Sequence, residues 1–347
     1  MSDGPCDVLF VCDFPPGFTA ASYRGRGAGG TEALVVLEAE ELARRGRHVV
    51  VATPCVEPAR CEGVSYMHVS GALAVRSAVT VLVKHWSPSV AGRAGVRVFL
   101  PTDVHVPDKA GIRRCVEWAH HVCAMSDYQR SRVQEALGVG AFVVIGVPVA
   151  VDEYAGGDDA RDPVLLYCSM PDRGLYYLKD LFPAIRRRVP GATLVITSDF
   201  TLWAQPAAKA AFMRFFDGQP GVEYLGHVPR AELVRQQKRA RVMGYPCRFE
   251  EGFCIAAAEC MAAGTVPITT KDFALVTTVG DAGVLLRGRP RGWFYRRAFV
   301  RETVRLLLDD AAWTVRSRAC REHVRERSHP ARVVDRLEAV LAGSRAG

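Results

Sequence analysis

A chain of 347 residues, 49% hydrophobic and 24% charged, is long enough for two domains that each bury a core. No stretch nears the roughly 18 uninterrupted apolar residues of a membrane span, and the start, MSDGPCDVLFVCDF, lacks the basic region of a signal peptide, so a cytoplasmic location is expected. The net charge of +8 resides in positions 286–347, where 15 Arg face 7 acidic residues. A solvated helical face accounts for that excess, as does attraction to an anionic membrane surface (peripheral association) or an acidic glycan. Nucleic acid is a poorer partner, because aromatic residues are not regularly interleaved with the basic ones.

In chain order, residues 7–12 (DVLFVC) are an apolar run with the length of a buried parallel strand. A loop rich in Pro, Gly, Ser and Arg spans 13–30 and closes on Gly27-Ala28-Gly29-Gly30-Thr31-Glu32. A helix is expected over 33–45, with apolar residues at 34, 37 and 42 and Gly46 as its stop, then a strand over 49–52. Glycines before a helix in a β-loop-α-β order can cradle a phosphate, since free N–H groups and the helix dipole favour an anion there. Strands are expected over 64–69, 80–83 and 96–100, the last followed by Pro101-Thr102-Asp103-Val104-His105. A helix over 112–119 and strands over 122–126 and 143–145 complete this half.

Positions 155–163 (AGGDDARDP) have the small, polar composition of a linker. Beyond it, strands are expected over 164–167, 193–197, 222–225 and 242–245, with helices over 175–188, 207–216 and 230–240. Strands alternating with helices on both sides of a linker imply two doubly wound domains, whose ligands bind at the carboxyl ends of the strands. The most informative stretch, 245–270, reads YPCRFEEGFCIAAAECMAAGTVPITT. Its Ala-rich run over 255–263 is a helix stopped by Gly264, with a strand over 266–268 beyond. Glu251 then lies in the loop before the helix and Glu259 inside it, a little over two turns on, so that both carboxylates can face one side. A carboxylate in so apolar a helix needs a polar partner, and sugar or ribose hydroxyls would serve. Arg-rich helices near 298–308, 311–326 and 331–342 end the chain. The 11 cysteines are scattered singly, without CxxC pairs or Cys/His clusters, so no structural zinc is expected.

A Glu, seven residues and a second Glu, with Gly-Phe after the first and Met-Ala-x-Gly-x-x-Pro after the second, resembles the signature of retaining glycosyltransferases of family 4. The Gly29-Gly30 loop with its helix and strand resembles the Gly-Gly loop of that family. Tyr167-Cys168-Ser169-Met170-Pro171-Asp172-Arg173-Gly174-Leu175 is similar to its phosphate motif, and Gly226-His227-Val228 to the Gly-x-Val loop that lies against the nucleobase. The resemblance covers most of the chain and is strongest over 167–285.

It implies the GT-B fold: α/β, two doubly wound Rossmann-like domains facing across a cleft, with C-terminal helices. An acceptor-side domain would span 1–155, a donor-binding domain 163–325, and 326–347 would form a helix crossing back to the first domain. The implied reaction is retaining, metal-independent and free of cofactors. It moves a hexosyl or related sugar from a nucleotide-diphosphate sugar to a glycan, glycoprotein or lipid-linked hydroxyl acceptor. Glu251 and Arg173 are the implied catalytic residues, the first holding the donor sugar and the second the departing diphosphate. Glu259 would take the ribose, and Gly29, Gly30, Ser169, Lys179, Gly252, Phe253, Cys254 and Val228 would complete the donor site. Asp103 and His105 fall on the acceptor side. The sequence departs from the family pattern at Thr102, in place of His, at Ser169, near an Arg position, and at Thr277, in place of Glu. These departures keep open a non-catalytic nucleotide-sugar binding subunit, or a nucleotide-sugar epimerase on the same fold.

Overall fold

The computed structural model describes residues 5–55, 57–138, 141–156, 161–201 and 214–343. Most of the helix expected over 207–216, and the middle of the linker expected over 155–163, lie outside the described residues. The chain divides into two compact units, one made of 1–24, 28–148 and 328–347, the other of 25–27 and 149–327.

In the first half the elements are β1 (Cys6–Val11), α1 (Ala20–Gly25), α2 (Gly30–Arg44), β2 (Val49–Thr53), β3 (Ala59–Cys61), β4 (Val64–His68), β5 (Ser77–Val83), β6 (Val96–Leu100), α3 (Lys109–Trp118), β7 (His121–Ala124), α4 (Asp127–Leu137) and β8 (Phe142–Val144). Their sheet runs β3-β4-β2-β1-β5-β6-β7-β8, and only the β3–β4 pair is antiparallel. The order reverses at β1, which pairs with β2 on one side and β5 on the other. Two helices of this half escaped the sequence reading. In α1, Thr19 and Ser22 cap each other reciprocally, Thr19 N to Ser22 Oγ at 2.9 Å and Ser22 N to Thr19 Oγ1 at 3.2 Å. In α4 the buried stripe is only Gln129, Val133 and Leu137, too thin to show as a period, and the helix is set instead by its ends. Ser126 accepts from the Gln129 amide at 3.1 Å, and Gly138 stops the helix at φ 65°.

Helix α2 is buried almost all round, and it carries Glu38, which is 0% exposed with neither carboxylate oxygen hydrogen-bonded among the described residues. Burial pushes its pKa up from 4.5 to about 8. The folded state thus keeps a proton that the unfolded chain loses, so the stability present at low pH falls as pH rises through this window, by at most about 1.4 kcal/mol per pH unit. Glu38→Gln should flatten that slope between about pH 5 and 8 in chemical denaturation. A slope equal to the wild type's would contradict this reading of Glu38.

The second series contains β9 (Val164–Tyr167), α5 (Leu175–Arg186), β10 (Thr193–Ile196), β11 (Val222–Tyr224), α6 (Arg230–Arg239), β12 (Val242–Tyr245), α7 (Ile255–Ala262), β13 (Val266–Thr270), α8 (Leu275–Val279), β14 (Val284–Leu286), α9 (Trp293–Leu308) and α10 (Asp310–Ser328). Its sheet is wholly parallel in the order β11-β10-β9-β12-β13-β14, with Tyr167, Phe182, Tyr245, Met261 and Phe299 in the core. The chain winds outward from β9 to β11, then returns to the other side of β9 as β12. Such a reversal leaves a crevice at the carboxyl ends of the two strands. Gly264, at φ 82°, stops α7 as its sequence position implies. Helix α9 starts five residues before the expected 298: its first turn buries only Tyr295 and leaves Trp293 and Phe294 exposed.

The last helix, α11 (Pro330–Gly343), belongs to the first unit and lies against α2. Arg45 reaches Glu338 at 2.8 Å, Asp335 at 2.9 Å and the Ala331 carbonyl at 2.8 Å, while Arg336 donates to the Ile145 carbonyl at 2.6 Å.

Candidate active site

Two loops leave the carboxyl ends of β9 and β12, and they carry most of the expected donor-site residues. Gly174 has φ 142°, and a Cβ there would stand 2.7 Å from the Pro246 carbonyl oxygen, so only glycine lets the two loops approach this closely. The approach brings Arg173 Nη1 to 3.1 Å and 3.3 Å from the two carboxylate oxygens of Glu251. The Tyr245 hydroxyl donates to the same carboxylate, and Ser169 Oγ donates to the Tyr245 oxygen at 3.2 Å. The Phe249 ring supports the guanidinium 4.2 Å from its centroid. Backbone bonds pin the loop as well: Glu251 N donates to the Phe249 carbonyl at 3.0 Å, and the Ala274 amide to the Glu251 carbonyl at 3.2 Å.

The electrostatics of this group follow from burial beside one negative charge. Glu251 is 4% exposed, while the Arg173 side chain keeps 24% of its surface open. Burial opposes the Arg173 charge, yet Glu251, with smaller contributions from Tyr245, Cys254 and Asp172, holds its pKa above the ordinary guanidinium value. Burial and then Glu251 push the Tyr245 phenol well above its usual range, so it stays a proton donor, and Cys247 is pushed up to about 12 by the same causes. Arg173 Nε is buried with no hydrogen-bond partner among the described residues.

Gly252, Phe253 and Cys254 continue the loop into α7. Cys254 caps that helix at φ 77°, a conformation that glycine adopts without steric cost. Thr278 Oγ1 donates to the Phe253 carbonyl and fixes this turn against α8. Thr277, where the resemblance has Glu, turns its hydroxyl to the Ala274 carbonyl of its own helix at 3.0 Å.

Glu259 is 6% exposed and has a partner that the sequence reading did not foresee. Arg230 Nη1 donates to its Oε1 at 2.6 Å, and Gln237 Nε2 to its Oε2 at 3.4 Å. Arg230 also reaches Glu153 Oε2 at 2.9 Å through Nε and the Tyr154 hydroxyl at 3.2 Å, and Tyr154 in turn donates to Gln237 at 2.8 Å. The two signature carboxylates are therefore held by different arginines, and the polar partner required in the apolar helix is supplied by the protein. Arg230 follows Pro229 at a helix start, a position that looks like an ordinary surface arginine in sequence.

Of the other expected residues, Lys179 is engaged elsewhere, its ammonium 5.2 Å from the Phe215 ring centroid. Val228 is half-buried in the loop after β11, beside His227, whose amide donates to the buried Asp199 carboxylate at 3.0 Å.

On the first unit, Gly29 is the extended N-cap of α2 and Gly30 its first residue, and no side chain caps this end. Glu32 stands in its first turn, so close that a Cβ on Gly29 would lie 2.5 Å from its Oε2. Thr31 Oγ1 donates to Thr102 Oγ1 at 3.0 Å. Asp103 is ion-paired with Lys84 at 3.6 Å, and His105 is exposed. Lys84 lies at φ 75° just past β5, and the Asp13 carboxylate accepts from Ser87 Oγ at 2.8 Å. A cavity of about 260 Å³ lined by Asp7, Leu42, Val79 and Leu341 opens at the amino ends of β1 and β5, the end of a parallel sheet that does not bind ligands in folds of this class.

Residues 162–309 match the family model described as Glycosyl transferases group 1. The fold is the GT-B fold of glycosyltransferases. Anabaena HepE, solved with UDP and glucose, is similar with a TM-score of 0.73 at 14% identity over 97% of this chain and 100% of its own. Sucrose-phosphate synthase from Thermosynechococcus elongatus is similar with a TM-score of 0.71 at 15% identity over 99% and 100%. TarM from S. aureus, in complex with fondaparinux, alpha-GlcNAc-glycerol and UDP, gives a TM-score of 0.59 at 9% identity over 76% of this chain, which spans 55% of the TarM chain. No curated protein matches by sequence.

Proposed function

We propose that this chain is a retaining glycosyltransferase, which moves a sugar from a nucleotide-diphosphate sugar to a hydroxyl of a glycan or other acceptor without a metal ion. The observation that carries the reading is the Arg173–Glu251–Tyr245 assembly at the β9/β12 reversal, inside the segment that matches the glycosyltransferase family model. As the bond from the anomeric carbon to the diphosphate breaks, negative charge grows on the leaving oxygen. Arg173, anchored through Nη1 and with 24% of its side chain open, is the cation that meets it. Glu251 holds that guanidinium in place and accepts from a hydroxyl of the donor sugar. Glu259 retains acceptor capacity on Oε2, where its bond to Gln237 is long, and takes a ribose hydroxyl there.

Transfer runs on the front face: the departing phosphate oxygen takes the acceptor hydroxyl proton while the acceptor oxygen bonds to the anomeric carbon from the same side. Neither Asp nor Glu is needed as base. Arg173 takes the electrostatic role of a divalent ion. The UDP complex of HepE makes uridine nucleotides the first donors to try. Asp103 and His105 are assigned to the acceptor.

The test is proton NMR of the purified chain with UDP-sugars, with and without hydroxyl acceptors. Transfer with the donor's anomeric configuration kept, unaltered by a chelator, is expected. Donor epimerisation without acceptor, inversion, or binding without turnover would each overturn the reading.

A further inference from the structure

The amino-terminal turn of α9 presents an unusual surface. Trp293 is 63% exposed and Phe294 is 81% exposed, with their rings edge to face 4.8 Å apart. Their outward direction is fixed by what lies beneath. Tyr295 is 2% exposed, its hydroxyl is 3.0 Å from Thr270 Oγ1, and it stacks on the fully buried Phe299 at 6.2 Å. With positions 295 and 299 inward, the helical period turns 293, 294, 297 and 301 outward. Two adjacent large aromatics held in water forgo the burial that makes such side chains favourable, and they need a covering surface to recover it.

The charges around them say what kind of surface. From 282 to 301 the sequence holds six arginines and no acidic residue. Arg287, Arg289, Arg291 and Arg297 are exposed, and the first three have no ion-pair partner among the described residues. Arg297 sits 5.4 Å from the Trp293 ring centroid, so this cation and the aromatic pair share one face. Arg296 and Arg301 are paired, the first with Asp180 at 3.3 Å and the second with Glu302 at 2.8 Å. Aromatic rings flanked by unpaired guanidinium groups match a bilayer surface whose headgroups are phosphates. The rings settle at the boundary of the acyl region, and the guanidiniums bind phosphate oxygens in forked pairs.

We propose that the Trp293–Phe294 turn and its arginines dock this protein on an anionic phospholipid bilayer. The docking needs neither donor nor turnover, so it stands or falls separately from the transferase reading.

Flotation of the purified chain with vesicles of phosphatidylcholine, alone or mixed with phosphatidylglycerol, tests it. Wild type should float with the mixed vesicles, far less with phosphatidylcholine alone, and less as salt rises. Trp293→Ala/Phe294→Ala should lower partition by about tenfold or more. Each arginine near an anionic leaflet contributes roughly a fivefold factor, so Arg289→Ala/Arg291→Ala should lie about 25-fold lower. All these positions are at the surface, and an unchanged melting temperature shows that the variants fold. A wild type that does not float, or variants that float like it, would overturn the proposal. So would heparin binding retained by the aromatic variant without vesicle binding, which points to an acidic glycan, or concentration-dependent self-association abolished by that variant, which points to a second copy of this chain.

Discussion

Arg173→Ala should lower kcat for sugar transfer by about 10²- to 10³-fold, which is the cost of removing one preorganised donor from a site of growing negative charge, about 2.7–4 kcal/mol. The expectation rests on two features. Arg173 is held by a buried carboxylate, so its position is set before any ligand arrives, and it still has an open edge. Arg173→Lys keeps the charge but not the planar guanidinium, whose single Nη1 meets both oxygens of Glu251 while its face rests on Phe249, and should recover only a small part of the loss. Glu251→Gln should behave like Arg173→Ala even though it leaves the cation in the chain, because it removes the charge that anchors Arg173 and leaves one oxygen where two now serve Arg173 and Tyr245. Steady-state rates with saturating donor, read beside melting curves for each variant, separate a loss of chemistry from a loss of fold. Transfer by Arg173→Ala within a few-fold of wild type would place the chemistry elsewhere.

Arg230→Leu should destabilise the second unit by about 3–5 kcal/mol, the cost of leaving the buried Glu259 carboxylate without its cation. Here Glu259 is left inside an apolar helix, with Gln237 as its remaining partner at 3.4 Å, and Glu153 loses the same guanidinium. Adding Glu259→Gln to Arg230→Leu should recover part of the loss, since the amide has no charge to desolvate. Denaturant unfolding of the two single variants and the double variant measures that coupling. Purely additive effects would mean that the ion pair is not what organises this network. The pair also bears on binding, because a ribose that takes Oε2 of Glu259 leaves Oε1 with Arg230, and donor affinity should survive only while that arginine holds the carboxylate in place.

The alternation of strands and helices was legible because parallel strands buried on both faces are continuous apolar runs, as in 7–12, 49–52, 164–167 and 242–245. The loop carrying Glu251 and the helix carrying Glu259 were legible because Ala and Gly264 delimit them. What the sequence withheld was pairing. Nothing in the order of residues puts Tyr245 under Glu251, or Arg230 and Glu153 on Glu259, since each contact joins elements brought together only by the winding of the sheet. Lys179 illustrates the opposite case: its spacing from Arg173 suggested a second cation, and its helix turns it onto Phe215 instead. Helix α4 went unseen because its ends, Ser126 and Gly138, define it more than its thin apolar stripe does.

The central claim is that the crevice at the carboxyl ends of β9 and β12 takes a nucleotide-diphosphate sugar with Arg173 on the diphosphate. Titration calorimetry tests it directly, using the purified chain with UDP-glucose and, in parallel, with GDP-, ADP- and dTDP-sugars, and repeating each on Arg173→Ala. One nucleotide series should bind wild type and bind the variant at least about tenfold more weakly, as expected on losing a charge-assisted hydrogen bond. Binding of none of them to wild type, or equal binding to both proteins, would contradict it.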